Sequence, residues 1–364
     1  EITAQTLKVA DRSKISSDSF TSGDGGNVVI NAVDLGLENH SAIYAGSLST
    51  GDGGKIEINS ASMRLADKSA VVADVRSSGQ GGSIGIKLEE MNLDNSLIFG
   101  STSGSGKGSS ITVESGSISL ENGARIESAT SGAGAAGSLE IEAVSIRIAG
   151  EGEGFDPKDI EGGETGKMAS SGLVTSTRSE GAAGTISVNG SVLDMMGGLV
   201  SSSSVGSGNA GEVTITVPEV RVLAGGEINT STSGVGQAGQ VTLTVDNLKV
   251  DGKGETTLVQ SASEGSGAGG QVVIEAAGVE LISGGQISTS TKKEGEGGVV
   301  QLSANNLTVD GQGSGVRTGI VSEASGSGNA GEVTITVPEV RVLAGGEINT
   351  STSGVGQAGQ VTLT

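Results

Sequence analysis

Acidic residues are concentrated in one stretch of the chain. Clustered carboxylates could bind Ca²⁺ or take part in the cleavage of polysaccharides. The stretch covers residues 149–172. A solvated loop is one interpretation of it, and a cation site or a partner-contact loop are the alternatives. The candidate cation ligands within it are Asp156, Asp159, Glu161 and Glu164.

Other residue types that support catalysis are scarce. His40 is the sole histidine and falls in a glycine-rich corner, which predicts a solvated turn residue rather than a base or a metal ligand. There is no cysteine to serve as nucleophile or thiolate ligand. Sugar-stacking aromatics are limited to Tyr44, Phe20, Phe99 and Phe155, far apart in sequence. We therefore expect no enzyme activity and no cofactor.

Short glycine-rich motifs give no stronger indication. The sequence GDGG occurs at 23–26 and 51–54 without the following Asp of a repeated Ca²⁺-binding nonapeptide. The sequence GAGAAG at 132–137 lacks the Lys-Ser/Thr of a phosphate-binding loop. Both are interpreted as repeat corners.

Threonine-rich runs at 229–233, 288–291 and 174–177 suggest a third chemistry, since flat threonine ladders can order water and bind ice. Alternation from an inward Ile228, however, predicts that Thr230 and Thr232 point inward. Ice binding is therefore kept only as a minor alternative.

Composition narrows the class of protein. The chain of 364 residues contains 65 glycines and three prolines, and glycine does not recur every third residue as in collagen. A net charge of −21 argues against a nucleic-acid partner, which requires basic patches. No apolar run reaches the roughly 20 residues of a membrane-spanning helix.

An internal repeat organises the whole sequence. Several units are 28 residues long without gaps, for example 26–53, 54–81 and 211–238. Each unit contains three short alternating runs, such as Val213/Ile215/Val217, Val220/Val222 and a run beginning at Ile228. The units begin at Gly26, Gly54, Gly82, Gly108, Gly137, Gly184, Gly211, Gly239, Gly270, Gly298, Gly331 and Gly359.

Short alternating runs broken by glycine predict strands, and one unit alone cannot bury its apolar face. The sequence therefore predicts an all-β fold: a right-handed, three-sided parallel β-helix with about 28 residues per coil and roughly 12 coils. Glycine pairs such as 225–226 and 284–285 are predicted to form the bends.

The predicted domain organisation is one continuous solenoid over 1–364, a piece of a longer chain, with a loop inserted at 149–172. Residues 206–244 and 326–364 are identical, an offset of 120. Because 120 residues correspond to four coils, we interpret 206–325 as a four-coil repeat that restarts at 326.

Segments such as GSGNAGEVTI, GQAGQVTLT, SGLVTSTRSEGAAGTISV and GARIESATSGAGAAGSLEI resemble repeats of filamentous-haemagglutinin-like exoproteins, the substrates of two-partner secretion. The resemblance covers essentially the whole chain. It implies a secreted or cell-surface β-helical rod that serves as adhesin, stalk or extracellular filament, with a role in biofilms. The implied partners are an outer-membrane transporter, a host or neighbouring cell surface, matrix polysaccharide, or other copies assembled end to end or laterally. A polysaccharide-acting enzyme or a carbohydrate-binding module is the alternative.

Overall fold

The structure, a computed structural model, describes residues 1–154 and 167–364, and all regular structure in these ranges is β. The chain divides into two compact units, Glu1–Ile186 and Ser187–Thr364. No helix among the described residues is long and apolar enough to cross a membrane.

The described residues of the first unit form fourteen complete strands. Strands β1, β3, β5, β7, β9 and β11 form one ladder, and β2, β4, β6, β8, β10 and β14 form a second. Their bounds are β1 Ile2–Val9, β2 Lys14–Ser16, β3 Val28–Leu37, β4 Ala42–Tyr44, β5 Lys55–Leu65, β6 Ala70–Val72, β7 Ser83–Asp94, β8 Leu97–Thr102, β9 Ser110–Glu121, β10 Arg125–Thr130, β11 Leu139–Ala149, β12 Glu151–Gly154, β13 Lys167–Ser170 and β14 Gly172–Thr177.

The second unit repeats the plan, and its first strand begins two residues before the unit boundary. One of its sheets consists of β15, β17, β18, β20, β22, β24, β25, β27, β28 and β30, and the other of β16, β19, β21, β23, β26 and β29. The bounds are β15 Thr185–Met196, β16 Leu199–Ser204, β17 Glu212–Thr216, β18 Glu219–Leu223, β19 Glu227–Asn229, β20 Gln240–Asp251, β21 Thr257–Gln260, β22 Gln271–Ile282, β23 Gly285–Ser288, β24 Val299–Ser303, β25 Asn306–Asp310, β26 Thr318–Val321, β27 Glu332–Thr336, β28 Glu339–Leu343, β29 Gly346–Asn349 and β30 Gln360–Leu363.

The predicted fold class is confirmed: parallel sheets stack as a β-solenoid with about 28 residues per coil and about 12 turns in all. The register shows the repeat directly, since Ile30 pairs with Ile58 and Ile58 pairs with Ile86. Like residues therefore stack on like residues inside each unit.

The first two predicted strands of a coil are usually one bent strand. In β3, Val28, Ile30, Leu35 and Leu37 are buried. Buried positions two residues apart are thus interrupted once by a step of five, from Ile30 to Leu35, so the alternation shifts by one residue there. The bend is at Val33, which is 43% exposed. Three coils instead have separate strands at this place: β17/β18 around Pro218, β27/β28 around Pro338, and β24/β25 around Ala304 and Asn305. In the first two, proline lacks the N–H that a continuous ladder needs.

The corner that joins the strands of one sheet to those of the other, for example between β18 and β19, has a left-handed backbone conformation. Positive φ angles occur at Ala224 and Gly225, and at Ser283 and Gly284, one residue earlier than the predicted glycine pairs. In an early coil the corner is Asn39–His40, with φ angles of 56° and 62°. Asparagine and aspartate tolerate this conformation because their short side chains bond locally. His40 lies at this left-handed corner, as its position in the repeat predicted, but it is partly buried rather than fully solvated.

Small polar residues share the interior with the aliphatic ladders. Thr230 and Thr232 are 0% and 1% exposed, which confirms that they point inward. Thr102, another inward residue, donates a hydrogen bond from Oγ1 to the carbonyl of Gly106 at 3.0 Å. The threonine run of β19 therefore presents Asn229 and Ser231, rather than threonines, to the outside.

The acidic stretch is only partly within the described residues. Strands β12 and β13 pair antiparallel, with Glu151 opposite Ser170 and Gly154 opposite Lys167. The candidate ligands Asp156, Asp159, Glu161 and Glu164 lie outside the described residues.

Candidate functional site

A polar groove of about 340 Å³ lies on the outer surface of the second unit. It follows the bend and the second half of four successive coils, so it runs along the stacking direction. Its lining consists of Glu219, Val220, Arg221, Asn247, Leu248, Lys249, Ala277, Gly278, Glu280, Asn305 and Asn306. We define these residues as the amide groove.

One ladder of outward positions forms the centre of the amide groove. Glu219, Asn247, Gly278 and Asn306 occupy successive rungs in register. Asn247 donates a hydrogen bond from Nδ2 to Oε1 of Glu219 at 2.5 Å. A Cβ at Gly278 would lie 3.2 Å from Oδ1 of Asn306 and 3.4 Å from Oδ1 of Asn247. The side chains of the two asparagines therefore converge on Gly278, where even one methyl group would be tightly packed.

The floor of the groove at this rung is built from small residues. Ala277 precedes Gly278 at the bend, where the neighbouring coils carry Asp246 and Asn305. The Asn305 N–H donates to the Ala277 carbonyl at 3.0 Å, and Asn306 Nδ2 donates to the same carbonyl at 3.4 Å. The coil that carries Ala277 and Gly278 is therefore recessed, because the coils on both sides of it carry larger side chains at the same two positions.

Charged residues line a second, parallel ladder. Arg221 pairs in register with Lys249, and Lys249 pairs with Glu280. The Lys249 Nζ lies 3.7 Å from Oδ2 of Asp251 and 3.8 Å from Oε2 of Glu280. Two acidic and two basic side chains line the groove, so its own charges balance within a chain of net charge −21.

The chemistry available in the amide groove is hydrogen bonding. Its amides, ammonium, guanidinium and carboxylates are donors and acceptors that match hydroxyl groups. Within residues 1–154 and 167–364, no group of three or more His, Cys, Asp or Glu side chains could hold a metal ion.

A half-buried carboxylate lies elsewhere on the second unit. Glu227 is in register between Leu199 and Leu258. Burial raises the pKa of Glu227, while hydrogen bonds from Gln260 and Asn229 partly oppose the rise. The identical residue of the second copy, Glu347, instead forms an ion pair with Arg317. One sequence thus gives two environments.

Substitution Glu227→Gln is expected to stabilise the protein at neutral pH by about 1 kcal/mol, the order of a buried polar group's desolvation. Because the folded pKa is raised above the unfolded one, folding favours the protonated acid. Stability is therefore lost as pH rises through the unfolded and then the folded pKa. Urea unfolding at pH 7 and pH 3 tests this, since the gain should vanish at pH 3.

The matched control is Glu347→Gln, at the identical position of the second copy. It removes an exposed ion pair and should lower stability at pH 7 by less than about 1 kcal/mol. Equal gains from both variants at pH 7 would contradict the assignment of the effect to burial at Glu227.

Two of the four aromatic candidates are brought together. Tyr44 and Phe99 both pack on a small cluster of Ala42, Ala70, Val72 and Leu97 in the first unit, and Lys14 Nζ lies 5.6 Å from the Tyr44 ring centroid. Phe20 is 74% exposed. Phe155 lies beyond the described residues.

Sequence reasoning missed the amide groove. The signal was present in three aligned runs, DNLKV (246–250), AGVEL (277–281) and NNLTV (305–309), in which one glycine replaces an asparagine. Only the observed register shows that these runs are adjacent rungs.

Comparison of the chain with protein-family models, with curated proteins and with solved structures gave no match. Any function must therefore be argued from the β-solenoid and its surfaces.

Proposed function

We propose that the chain is a structural and adhesive segment of a secreted or cell-surface fibrous exoprotein. The single observation that supports this proposal is the in-register parallel stacking of repeated coils, with Ile30, Ile58 and Ile86 on successive rungs. Stacked repeats have nearest-neighbour interfaces, so coils can be added without redesign of the core.

The surface supports an adhesive role alongside the structural one. Outward positions repeat along the stack, and the run Glu219–Arg221 recurs unchanged as residues 339–341. When the same surface is repeated, several weak contacts can form at once, and the overall binding is stronger than that of any single contact. The proposed partners are a host or neighbouring cell surface, matrix polysaccharide or other copies of the chain.

Export through an outer-membrane transporter completes the proposal. The chain has no cysteine, so no disulfide could form before transport and obstruct an unfolded passage. The extracellular medium or the cell surface is accordingly the proposed location.

The test uses beads coated with the purified chain. We expect them to be retained on bacterial cells, on immobilised polysaccharide or on a layer of the same protein, and beads coated with serum albumin to be washed away. No retention on any of the three would refute the adhesive role. A parallel assay for new reducing ends tests the enzyme alternative, for which Glu219 and Glu280 are the carboxylates in the groove. Polysaccharide cleavage would overturn the non-catalytic proposal.

A further inference from the structure

We propose that residues 211–330 form a stacking unit whose last coil recognises its first coil, so that further copies of the unit can be added end to end. We call these four coils the array. The partner is therefore a second copy of the array, and this holds whether or not the chain is adhesive. The supporting contacts lie on either side of Ala330, where the last coil is followed by the sequence of the first.

The first coil of the array occurs twice, because the segment after Ala330 repeats the array from its beginning. In the first copy Val222 pairs with Met195, and in the second copy Val342 pairs with Val309. Met195 precedes the array, whereas Val309 belongs to its last coil. Both rungs are apolar, so the core ladder is continuous across the boundary between one array and the next.

Polar side chains of the last coil also contact the coil that follows. Arg317 forms ion pairs with Glu323 in its own coil and with Glu347 in the next. Glu323 also accepts hydrogen bonds from Nδ2 of Asn349 and Oγ of Ser351, both at 3.1 Å. We define these five residues as the seam.

No other coil of the array carries the carboxylate of the seam. At the positions equivalent to Glu323, the other three coils have Ser231, Ala262 and Ser290. The complete seam therefore requires the first coil to follow the last, which favours one order of stacking over the others.

The first coil can hold a neighbour on each side at once. In the first copy, Gln260 of the following coil donates a hydrogen bond to Glu227. The counterpart Glu347 instead bonds to Arg317 of the preceding coil. A carboxylate accepts several hydrogen bonds at once, so the two contacts are compatible.

The experiment inserts a second array directly after Ala330. Because the chain continues from there with the sequence that begins the array, the insertion creates no junction that the chain does not already contain. We expect a folded protein whose second unit is longer by four rungs, about 19 Å at about 4.8 Å each. Small-angle X-ray scattering measures the added length, and far-UV circular dichroism measures the strand content per residue.

The control inserts the same residues in the order 239–330 and then 211–238. One last coil is then followed by a coil that has Leu258 where the seam has Glu347. Length and composition are equal, so the urea midpoints of the two chains can be compared directly. We expect the midpoint to be about 0.3 M higher for the array inserted in order, and Arg317→Gln in every copy to remove most of this difference.

A chain that fails to fold or to lengthen after the ordered insertion would overturn the proposal. Equal midpoints for the two orders would also overturn it, since any coil could then follow any other. A difference that survives Arg317→Gln would show that the seam does not select the order. The bead assay is independent of all three results, so a failure of extension is distinguishable from a failure of adhesion.

Discussion

Gly82→Ala is expected to be among the most destabilising single-methyl additions in the chain, with a loss of about 3 kcal/mol of unfolding free energy. A Cβ at Gly82 would lie 2.1 Å from the carbonyl oxygen of Gly54 in the coil below. That oxygen also accepts a ladder hydrogen bond from the Ser83 N–H at 3.1 Å. The obstacle is backbone, so relief requires the two coils to separate and that bond to weaken.

The same contact recurs along the corner. A Cβ at Gly54 would lie 2.0 Å from the Gly26 oxygen, and one at Gly239 would lie 1.7 Å from the Gly211 oxygen. At these three repeat starts glycine is therefore required by close backbone approach, since none of the three has a positive φ.

Gly85→Ala is the control, three residues further along the chain and inside strand β7, which begins directly after Gly82. A Cβ at Gly85 meets nothing within 4 Å, and alanine loses less backbone entropy on folding than glycine. It should therefore be neutral or stabilise the fold by up to about 1 kcal/mol. Urea unfolding followed by far-UV circular dichroism suits a chain without tryptophan. Equal stability of the two variants would show that the coils can part at little cost.

The fold could be predicted from the sequence because its determinants are local and periodic. Alternation places Val213 and Ile215 inward, and the 28-residue period brings like positions together. The same alternation placed Thr230 inward correctly. Because side chains of a strand alternate between its two faces, one buried position determines which of the neighbouring residues point inward.

The amide groove could not be predicted because it depends on which coils are neighbours and on what each carries at one outward position. Asn247, Gly278 and Asn306 are about 30 residues apart, with unequal insertions between them. The left-handed corners were predicted one residue too late in the sequence because the prediction relied on glycine pairs. In the run Ala224-Gly225-Gly226 the positive φ angles are at Ala224 and Gly225, so an alanine occupies the first position of the bend.

The two identical segments permit a second large prediction, in which local sequence is held constant. Val222 is 0% exposed and lies in register between Met195 and Val250. Val342, its counterpart, pairs with Val309 on one side and is 45% exposed. Val222→Ala should cost about 2.5 kcal/mol, since it removes buried methyl groups and leaves a cavity between two coils.

Val342→Ala should cost less than about 1 kcal/mol in the same 364-residue chain, because much of the side chain is already in contact with water. Strand propensity changes identically in the two variants, since both valines lie in the run EVRVLAGGEINT. The difference between their urea midpoints, at equal denaturant slopes, therefore measures what a second neighbouring coil adds to one buried rung. A difference near zero would mean that the stability of a coil resides in its own strands. A difference near 2 kcal/mol would mean that each coil depends on both of its neighbours, as a stacked repeat requires.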